Sequence, residues 1–408
     1  GIVANNNSRE PKRVCFEKNL SKETVFDVIK LRMAESDDRY CFIVEWYDAF
    51  AALVRRYQFL YYSKDKSVEM VDIKNHRMFL KRTKVDDIGL EDLYIGSTIN
   101  LFSRQLTFVD YGDDFTRNRL TMKKEKTLGM IKPDAVAKMG SILDLIYASG
   151  MKITKLKMCH LNRNEAFEFY QEHQGKPFLD NLLSYITSGP VIAFELMGEG
   201  TVGRWRELLG PTDSAVARKE NPTSIRARFG KDKTMNACHG SDGVASSARE
   251  LEFFFPSVGP SRKNTAKFDD CTCCIIKPHA VLGGKAGRII NAITEAGFEI
   301  SMLQMFFMEK ANTEEFYEVY KGVVQEYNAM VNELTSGPSI AMEIRAQNAP
   351  IAFREMVGPA DPEIARHLRP RTLRALFGDD KVKNAVHCTD LPEDALLEVE
   401  YFFKILDR

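Results

Sequence analysis

The chain has no excess of charge and no long apolar segment. Its 408 residues include 57 basic and 57 acidic side chains, so the formal net charge is zero and no bulk attraction to nucleic acid is expected. No segment approaches the ~18–20 apolar residues that a membrane span requires. Eight cysteines do not make a disulfide framework in a chain of this length, and no secretory signal is visible, which favours a reducing cytoplasm. We therefore expect neither nucleic-acid nor membrane partners.

Two common catalytic motifs are also missing. The sequence contains no G-x-x-x-x-G-K-[ST] phosphate loop and no H-E-x-x-H motif, which leaves a P-loop nucleotide site and that type of zinc site unsupported. Cys271 and Cys274 have C-x-x-C spacing, but no second pair accompanies them. The segment Thr272–Ile276 predicts a buried strand instead, and no protein metal site is expected.

A domain-sized repeat is the main positive feature of the sequence. Four pairs of segments match in order: Thr127–Val136 with Thr272–Val281, Thr187–Pro190 with Thr335–Pro338, Leu209–Asp213 with Val357–Asp361, and Asn236–Asp242 with Asn384–Asp390. Each unit is too long for a solenoid repeat. The pattern predicts two copies of one globular domain, at 127–255 and 271–403, joined by a linker at 256–270.

The residues that precede the repeat have a different character. Residues 1–38 are polar and irregular, which predicts a flexible extension. Residues 39–120 contain short β-branched and aromatic segments separated by Asp, Lys and Gly, as is typical of a small antiparallel β domain. The predicted strands are Arg39–Trp46, Val54–Tyr62, Ser67–Ile73, Arg77–Lys81 and Leu106–Tyr111.

Strand and helix patterns alternate within each repeat, which predicts an α+β fold with a split βαβ sheet and helices packed on it. In the first copy the predicted strands are Thr127–Ile131, Lys152–His160 and Val191–Leu196. The predicted helices there are Gly140–Ser149, Arg163–Glu172, Lys176–Tyr185, Val202–Leu209 and Ala245–Phe255.

Each repeat carries one histidine, one lysine, two arginines and one asparagine at matching positions. Cations of this kind hold phosphate oxygens and offset the charge that develops during phosphoryl transfer. A neutral imidazole is a good nucleophile near pH 7, and a carboxylate on its far nitrogen fixes the tautomer. An isolated Arg or Lys is more often a solvated surface charge, so the repeated spacing carries the prediction of a phosphate-transfer site.

Both repeats resemble nucleoside diphosphate kinases, most specifically through the N-x-x-H-G-S-D motif at Asn236–Asp242. The resemblance implies two tandem ferredoxin-like domains after the β-rich domain. It also implies a two-step exchange, in which a γ-phosphate passes from a nucleoside triphosphate such as ATP to histidine and then to a diphosphate, with Mg²⁺ on the phosphates. His239 would be the phosphorylated nucleophile, Glu250 would orient its other nitrogen, and Ser241 would support it.

The resemblance also implies how the first repeat holds a nucleotide. Lys132 and Tyr170 would line the phosphate pocket, with Lys132 also reaching the ribose. The remaining implied contacts are phosphate oxygens with Arg206, Thr212 and Arg226, the sugar 3′-hydroxyl with Asn236, and the base with Phe178. Stacking on Phe178 would be indifferent to base identity, because every base has a π-face.

The second repeat keeps part of this set and changes the rest. It retains Lys277, Tyr317, Arg354, Arg374, Asn384, His387 and Glu398. Asp134 is replaced by His279, Thr212 by Ala360, and Gly240-Ser241 by Cys388-Thr389, and no aromatic residue clearly matches Phe178. The loss of one hydrogen bond to a charged phosphate costs ~1.5–3 kcal/mol. Together with the added Cys388 side chain, this predicts a weak or inactive second site.

Residues 39–120 resemble a DM-ten domain, a small β module of ciliary and flagellar microtubule proteins, through Trp46–Asp48, Phe79–Arg82 and Asp110–Asp113. This resemblance implies tubulin or microtubule-associated partners and a place in the cytoskeleton, at an axoneme or a centrosome. It leaves an alternative open, in which the protein is mainly architectural. Because kinases of this type assemble from identical subunits, the two copies are expected to pack as an internal pseudo-dimer within a monomer.

Overall fold

The computed structural model describes residues 39–407, and the extension predicted at 1–38 lies outside them. The N-terminal part is an antiparallel sheet with the strand order β4-β3-β2-β1-β6-β5. Its elements are β1 Arg39–Asp48, β2 Leu53–Tyr62, β3 Ser67–Asp72, β4 Arg77–Lys84, β5 Thr98–Leu101, β6 Arg104–Tyr111 and helix α1 Asp114–Lys123. The five predicted strands are confirmed, while β5 and α1 were not predicted. The hairpin between β1 and β2 ends in a fully exposed Phe50.

The first repeat has four antiparallel strands in the order β10-β7-β9-β8. Numbered along the chain, this is the 4-1-3-2 order of a ferredoxin-like sheet, so the α+β prediction is confirmed. The strands are β7 Glu125–Ile131, β8 Lys152–Cys159, β9 Val191–Gly198 and β10 Cys238–Gly240. The helices are α2 Met139–Ala148, α3 Arg163–Phe169, α4 Leu179–Ile186, α5 Thr201–Leu209, α6 Ser214–Glu220, α7 Ile225–Phe229 and α8 Val244–Phe254.

The second repeat has the strand order β12-β13-β11-β14. Read from the opposite edge of the sheet, this is the same 4-1-3-2 order. The strands are β11 Cys271–Ile276, β12 Glu299–Phe306, β13 Ser339–Arg345 and β14 Val386–Cys388, which confirms the buried strand predicted at Thr272–Ile276. The helices are α9 Pro278–Leu282, α10 Ala286–Glu295, α11 Lys310–Phe316, α12 Tyr327–Leu334, α13 Ala349–Val357, α14 Pro362–Leu368, α15 Leu373–Phe377 and α16 Ala395–Glu400, followed by a π-helical segment at Tyr401–Leu406.

The two repeats form one continuous sheet and share a helix crossing. Strands β8 and β12 pair antiparallel through Lys157 and Gln304, which joins eight strands into a single sheet. Helices α2 and α10 cross at Gly140 and Gly287. A Cβ atom on Gly287 would lie 2.6 Å from the Gly140 carbonyl oxygen, and one on Gly140 would lie 2.8 Å from the Gly287 carbonyl oxygen. The backbones therefore touch, and the copies pack within one chain as the pseudo-dimer expectation requires.

A buried polar network lies at the same junction. Lys157 of β8 donates to Asp407 at 2.6 Å, and Asn264, between the two repeats, donates to the other Asp407 oxygen at 2.7 Å. Burial would raise the pKa of Asp407, but the hydrogen bonds from Asn264 and Lys157 outweigh it and hold that pKa below its usual range. The charges therefore stabilise each other away from water.

The N-terminal sheet is fixed to the second repeat. The Asn100 side chain donates to the Thr335 hydroxyl at 2.6 Å, and the Gln105 side chain donates to the Met308 carbonyl at 2.6 Å. Gln105 also accepts the Lys310 N–H at 2.9 Å. These contacts hold the sheet against the second repeat. Over residues 39–407, no helix has both the length and the apolar character needed to cross a bilayer.

Candidate active site

The proposed nucleophile lies on a very short strand at one edge of the large sheet. His239 is the middle residue of β10 and pairs with Met130 of β7. Before the strand, Ala237 has φ of +70°, which is unusual for a residue with a side chain. The Ala237 N–H donates to an Asp134 carboxylate oxygen at 3.1 Å, and its carbonyl accepts the Lys132 N–H at 2.8 Å. These contacts hold the strained loop and fix where His239 points.

His239 is part of a hydrogen-bonded group with Glu250 and Ser241. The His239 Nε2 lies 2.9 Å from a Glu250 oxygen, and the Ser241 hydroxyl donates to the same oxygen at 2.6 Å. Burial would raise the pKa of Glu250, but the bonds to His239 and Ser241 lower it below its usual range, so the carboxylate is ionised near neutral pH. Nε2 therefore carries the proton, and Nδ1 keeps the lone pair that a nucleophile needs.

Aromatic rings enclose the imidazole. The ring centre of Phe169 lies 5.3 Å from that of His239, and the ring centre of Tyr170 lies 6.3 Å away, both edge-on. The Tyr170 hydroxyl is buried and has no hydrogen-bond partner within residues 39–407. Burial also raises its pKa far above the usual range, so it remains a donor. A buried donor of this kind is satisfied when a ligand oxygen enters the pocket.

Lys132 and Arg226 place two desolvated cations near each other. The Lys132 ammonium is buried and donates to the Asn236 side-chain oxygen at 2.8 Å. Burial, assisted by the Arg226 charge, lowers the pKa of Lys132 to about 8. Burial also lowers the pKa of Arg226, with a further contribution from Arg206. In the described part of the chain, Lys132, Arg206 and Arg226 form hydrogen bonds with amide and carbonyl oxygens and no ion pair with a carboxylate. The arrangement therefore fits an anion.

The arginines are held by backbone carbonyls rather than by acids. Arg226 donates to the Gly210 carbonyl at 2.9 Å and leaves its Nε buried without a partner among the described residues. Gly210 ends α5 with φ of +77°, and a Cβ there would lie 2.3 Å from the Ser224 hydroxyl, so the turn requires glycine. Arg206 donates to the Asp242 carbonyl at 3.0 Å. Both guanidinium groups keep donors free for a ligand.

Two of the predicted residues, Thr212 and Phe178, are exposed to solvent. The Thr212 side chain is exposed, and its carbonyl accepts the Asn236 amide at 2.9 Å. The Phe178 ring is 47% exposed at the start of α4. Sequence reasoning missed His173, whose ring centre lies 5.4 Å from that of Phe178 and which stacks on Tyr170 at 6.0 Å. Its position one helical turn after Tyr170 is the feature of the sequence that could have indicated this contact.

The histidine group recurs in the second repeat. The His387 Nε2 lies 2.9 Å from Glu398, and the Thr389 hydroxyl donates to the same Glu398 oxygen at 2.8 Å. Thr389 therefore keeps the contact that Ser241 makes in the first repeat. The expectation that Thr389 marks a loss was wrong on this point.

The replacement of Asp134 by His279 also preserves a contact. The His279 Nε2 accepts the N–H of Ala385, a residue with φ of +74°, at 3.1 Å. The other ring nitrogen of His279 donates to Glu333 at 2.6 Å. A histidine and a glutamate thus hold the loop before His387 as Asp134 holds the loop before His239. The supporting side chain differs between the repeats, but in both of them it accepts the N–H of the strained residue before the histidine.

Cys388 is accommodated because the second repeat has smaller residues beneath this position than the first repeat has. A Cβ on Gly240 would lie 2.6 Å from the Trp205 ring nitrogen, which shows how closely that ring approaches the first strand. The second repeat has Phe353 in the Trp205 position, and Cys388 is buried. The expected intrusion of the Cys388 side chain is therefore absorbed by the core. The Thr212 hydroxyl, replaced by Ala360, is still lost.

The described residues contain no group of three or more His, Cys, Asp or Glu side chains placed to hold a metal ion. The donors around the segment that carries His239 are instead Lys132, which bonds Asn236, Arg226, which bonds the Cys238 carbonyl, and the Tyr170 hydroxyl. This set fits phosphate oxygens, and it fits Mg²⁺ only as a cation that arrives bound to those phosphates.

Similarity to known proteins agrees with this geometry. Residues 125–259 and 270–407 match a family model described as nucleoside diphosphate kinase. Nucleoside diphosphate kinase homolog 7 of Rattus norvegicus is 60% identical over 372 residues, which cover 91% of this chain and 94% of that protein. The Mus musculus protein of the same name is 59% identical over 372 residues with the same coverage. A structure of the Aquifex aeolicus nucleoside diphosphate kinase is 46% identical, covers 33% of this chain and 96% of that chain, and has a TM-score of 0.32.

The N-terminal domain has a match of its own. Residues 34–122 match a model described as the N-terminal PH domain of nucleoside diphosphate kinase 7. The DM-ten resemblance is not confirmed by this description. Because the kinase model covers more than half of the residues and the two relatives align along nearly all of them, the chain belongs to the nucleoside diphosphate kinase family.

Proposed function

We propose that the first repeat is a nucleoside diphosphate kinase that works through a phosphohistidine at His239. The observation that carries this proposal is the His239–Glu250 contact of 2.9 Å, which leaves Nδ1 as the nucleophilic nitrogen. Nδ1 attacks the γ-phosphorus of a nucleoside triphosphate, and the bond from that phosphorus to the bridging oxygen breaks. The diphosphate leaves, and a second diphosphate then takes the phosphoryl group from nitrogen by the reverse displacement.

The residues around His239 have separate roles in this scheme. Lys132, Arg206 and Arg226 offset charge on the phosphate oxygens as the transition state forms. The unpartnered Tyr170 hydroxyl donates to a phosphate oxygen, and Glu250 stabilises the imidazole as it becomes positive. Further out, Thr212 binds phosphate, Asn236 binds the sugar 3′-hydroxyl and Phe178 stacks on the base. Mg²⁺ carried on the triphosphate, rather than held by protein side chains, would shield the phosphate charge.

Lys277 is the clearest reason to assign weaker chemistry to the second repeat. Its ammonium is buried, and burial, assisted by the Arg374 charge, lowers its pKa to about 7. Its pKa lies below that of Lys132, so Lys277 carries its charge less readily near neutral pH and attracts phosphate more weakly. The site also lacks the hydroxyl replaced by Ala360. We assign it weak or no phosphotransfer.

The direct test is labelling of the full chain with γ-labelled ATP, followed by acid and alkali treatment. Phosphohistidine is acid-labile and alkali-stable, so wild type should carry such a label and pass it to added diphosphates. His239→Ala should abolish the label, while His387→Ala should leave it unchanged. His160→Ala is a matched control, because His160 is an exposed histidine of the same repeat that binds a backbone carbonyl. Label that persists in His239→Ala would remove the proposal.

A second candidate function is architectural, with tubulin or a microtubule-associated protein as partner at an axoneme or centrosome. The observation that favours it is the N-terminal sheet, which Asn100 and Gln105 hold on the second repeat while its hairpin presents the fully exposed Phe50. Tyr47, Leu53 and Val54 are exposed on the same hairpin, so Phe50 belongs to an apolar patch, and contiguous patches of this kind mark interaction surfaces. His239→Ala should co-sediment with microtubules as wild type does, and Phe50→Ser should not. Equal sedimentation of Phe50→Ser would discard the hairpin as the contact.

We further propose that the chain is a monomer, because the two repeats already pair with each other through the Gly140–Gly287 crossing and the β8–β12 contact. Light scattering should give the mass of one chain, 46.4 kDa. A mass near six chains would refute this.

A further inference from the structure

The second repeat contains a carboxylate where a nucleotide phosphate would be expected. We propose that Asp390 pairs with the phosphate-binding arginine of the second repeat, Arg354, and so closes a nucleotide site that keeps its buried tyrosine and its second arginine. The inference rests on the proposed function, because it takes Arg206 and its counterpart Arg354 to be phosphate-binding residues. It goes further by naming the group that blocks the second site.

The first observation is an ion pair between Arg354 and Asp390. One Asp390 oxygen contacts the Arg354 guanidinium directly. The other oxygen accepts the Tyr320 hydroxyl at 2.5 Å. Burial would raise the pKa of Asp390, but the bonds from Tyr320 and Arg354 lower it below its usual range, so the carboxylate is charged near neutral pH. We call Tyr320, Asp390 and Arg354 the acidic bridge.

The first repeat has no such bridge. Asp242, the counterpart of Asp390, accepts the Ser246 hydroxyl instead. Among the described residues, Arg206 donates to the backbone carbonyl of Asp242, at 3.0 Å, and not to its carboxylate. Its guanidinium therefore remains available to a ligand in the first repeat, whereas that of Arg354 is already neutralised in the second.

Two substitutions explain why the carboxylate turned inward. The position of Ser246 is taken by Asp394 in the second repeat. A like charge cannot hold Asp390, because two carboxylates repel each other. The position of His173 is taken by Tyr320, whose hydroxyl reaches Asp390. The loss of the serine hydroxyl and the gain of the Tyr320 hydroxyl therefore both favour an Asp390 side chain that points towards Arg354.

The bridge lies over the histidine. The side chain of His387 is 6% exposed, compared with 20% for His239. The Tyr320 ring centre lies 5.6 Å from that of Tyr317, which itself lies 5.9 Å from the His387 ring. The added tyrosine thus covers the side from which a phosphate would approach.

The groups beneath the bridge still match those of the first site. The Tyr317 hydroxyl is buried without a partner within the described residues, as is the Tyr170 hydroxyl. Arg374 donates to the Gly358 carbonyl at 3.1 Å, as Arg226 does to Gly210. One contact differs, because the side-chain oxygen of Asn384 is buried and unpartnered in this part of the chain, whereas that of Asn236 accepts the Lys132 ammonium at 2.8 Å. These donors and acceptors are satisfied when a nucleoside diphosphate enters.

The strength of the bridge sets the size of the expected effect. Arg354 and Asp390 are 45% and 48% exposed, and exposed ion pairs of this kind are weak. The Tyr320 hydrogen bond to a charged oxygen adds to the bridge, and the Asp390 charge also repels phosphate. We expect removal of the charge to strengthen ADP binding at the second site by about tenfold.

The test is calorimetric titration of the full chain with ADP and Mg²⁺ at pH 7. Wild type should bind one equivalent tightly, at the first repeat. Asp390→Asn should bind a second equivalent, with an ADP affinity about tenfold higher than that of the second site of wild type. Tyr320→Phe should raise the ADP affinity of the second site by a smaller factor. Glu355→Gln is the matched control, because Glu355 is the neighbour of Arg354 and pairs with Arg369. It should bind as wild type does.

The outcomes separate this inference from the proposed function. Two equivalent sites in wild type, or an unchanged second site in both Asp390→Asn and Tyr320→Phe, would overturn the acidic bridge. A gain in Glu355→Gln equal to that in Asp390→Asn would overturn it too, because charge alone would then explain the effect. If wild type binds no ADP but Asp390→Asn binds one equivalent, the inference stands and the assignment of the first site fails.

Discussion

Replacement of Glu250 by glutamine should slow the phosphorylation of His239 without changing its tautomer. The Glu250 side chain is 3% exposed, and one of its oxygens accepts from both His239 and Ser241. A glutamine carbonyl oxygen can accept the same two hydrogens, and its amide group would then lie towards Arg249. The hydrogen-bond pattern is kept and only the negative charge is removed.

The magnitude follows from the charge that develops on the imidazole. Two unit charges about 4 Å apart interact by about 4 kcal/mol at an effective dielectric constant of about 20. If about a third of a positive charge has formed in a loose transition state, loss of the carboxylate raises the barrier by about 1.4 kcal/mol. This corresponds to about a tenfold slower reaction.

The assay is a single-turnover rapid-quench measurement of acid-labile label from γ-labelled ATP. Glu252→Gln is the control, because Glu252 lies on the same helix and binds Ser257 rather than a histidine. The control should phosphorylate at the wild-type rate. A rate for Glu250→Gln within twofold of wild type would refute the assignment of charge stabilisation to Glu250.

Three further predictions concern the cation, the junction and the core. ADP affinity should fall as pH rises through about 8, where Lys132 loses its proton, and calorimetry at pH 7 and pH 9 should show no such fall in Lys132→Arg. Asp407→Ala leaves the Lys157 charge buried and unpaired, so urea unfolding should show a free energy of unfolding lower by about 3 kcal/mol; an unchanged midpoint would contradict the network. Gly240→Ala overlaps the Trp205 ring and should cost about 1–3 kcal/mol in the same assay, and adding Trp205→Phe should recover part of it; a further loss would contradict the packing argument.

The elements that the sequence predicted are those long enough to show a period. The strands at Lys152–Cys159 and Val191–Gly198 and the helix at Met139–Ala148 were placed to within a few residues. The strand that carries His239 spans only Cys238–Gly240, and the helix at Ile225–Phe229 is a single turn or so. Segments of that length have no readable period, so they form only because tertiary contacts hold them.

The site shows a similar division between chemistry and contact. His239, Glu250 and Ser241 could be named from their chemical types and from the resemblance. The support of the Ala237 N–H by Asp134 could not, because it joins residues a hundred positions apart. From the sequence alone Cys388 predicts a disruption, because sequence spacing does not show that Phe353 lies beneath it. Whether a substitution is harmful depends on the neighbour, and only the fold identifies that neighbour.

The crossing of helices at Gly140 and Gly287 has a consequence for how the two copies change over generations. In an assembly of identical chains, any mutation appears in every subunit, so an interface and a catalytic pocket are always altered together in all copies. Here each mutation appears once. The packing requirement still binds both helices, since neither glycine can take a Cβ without displacing its partner's backbone. A requirement for chemistry can be met by one copy alone. The other copy is then free to pair its Asp390 carboxylate with Arg354 while it continues to complete the sheet.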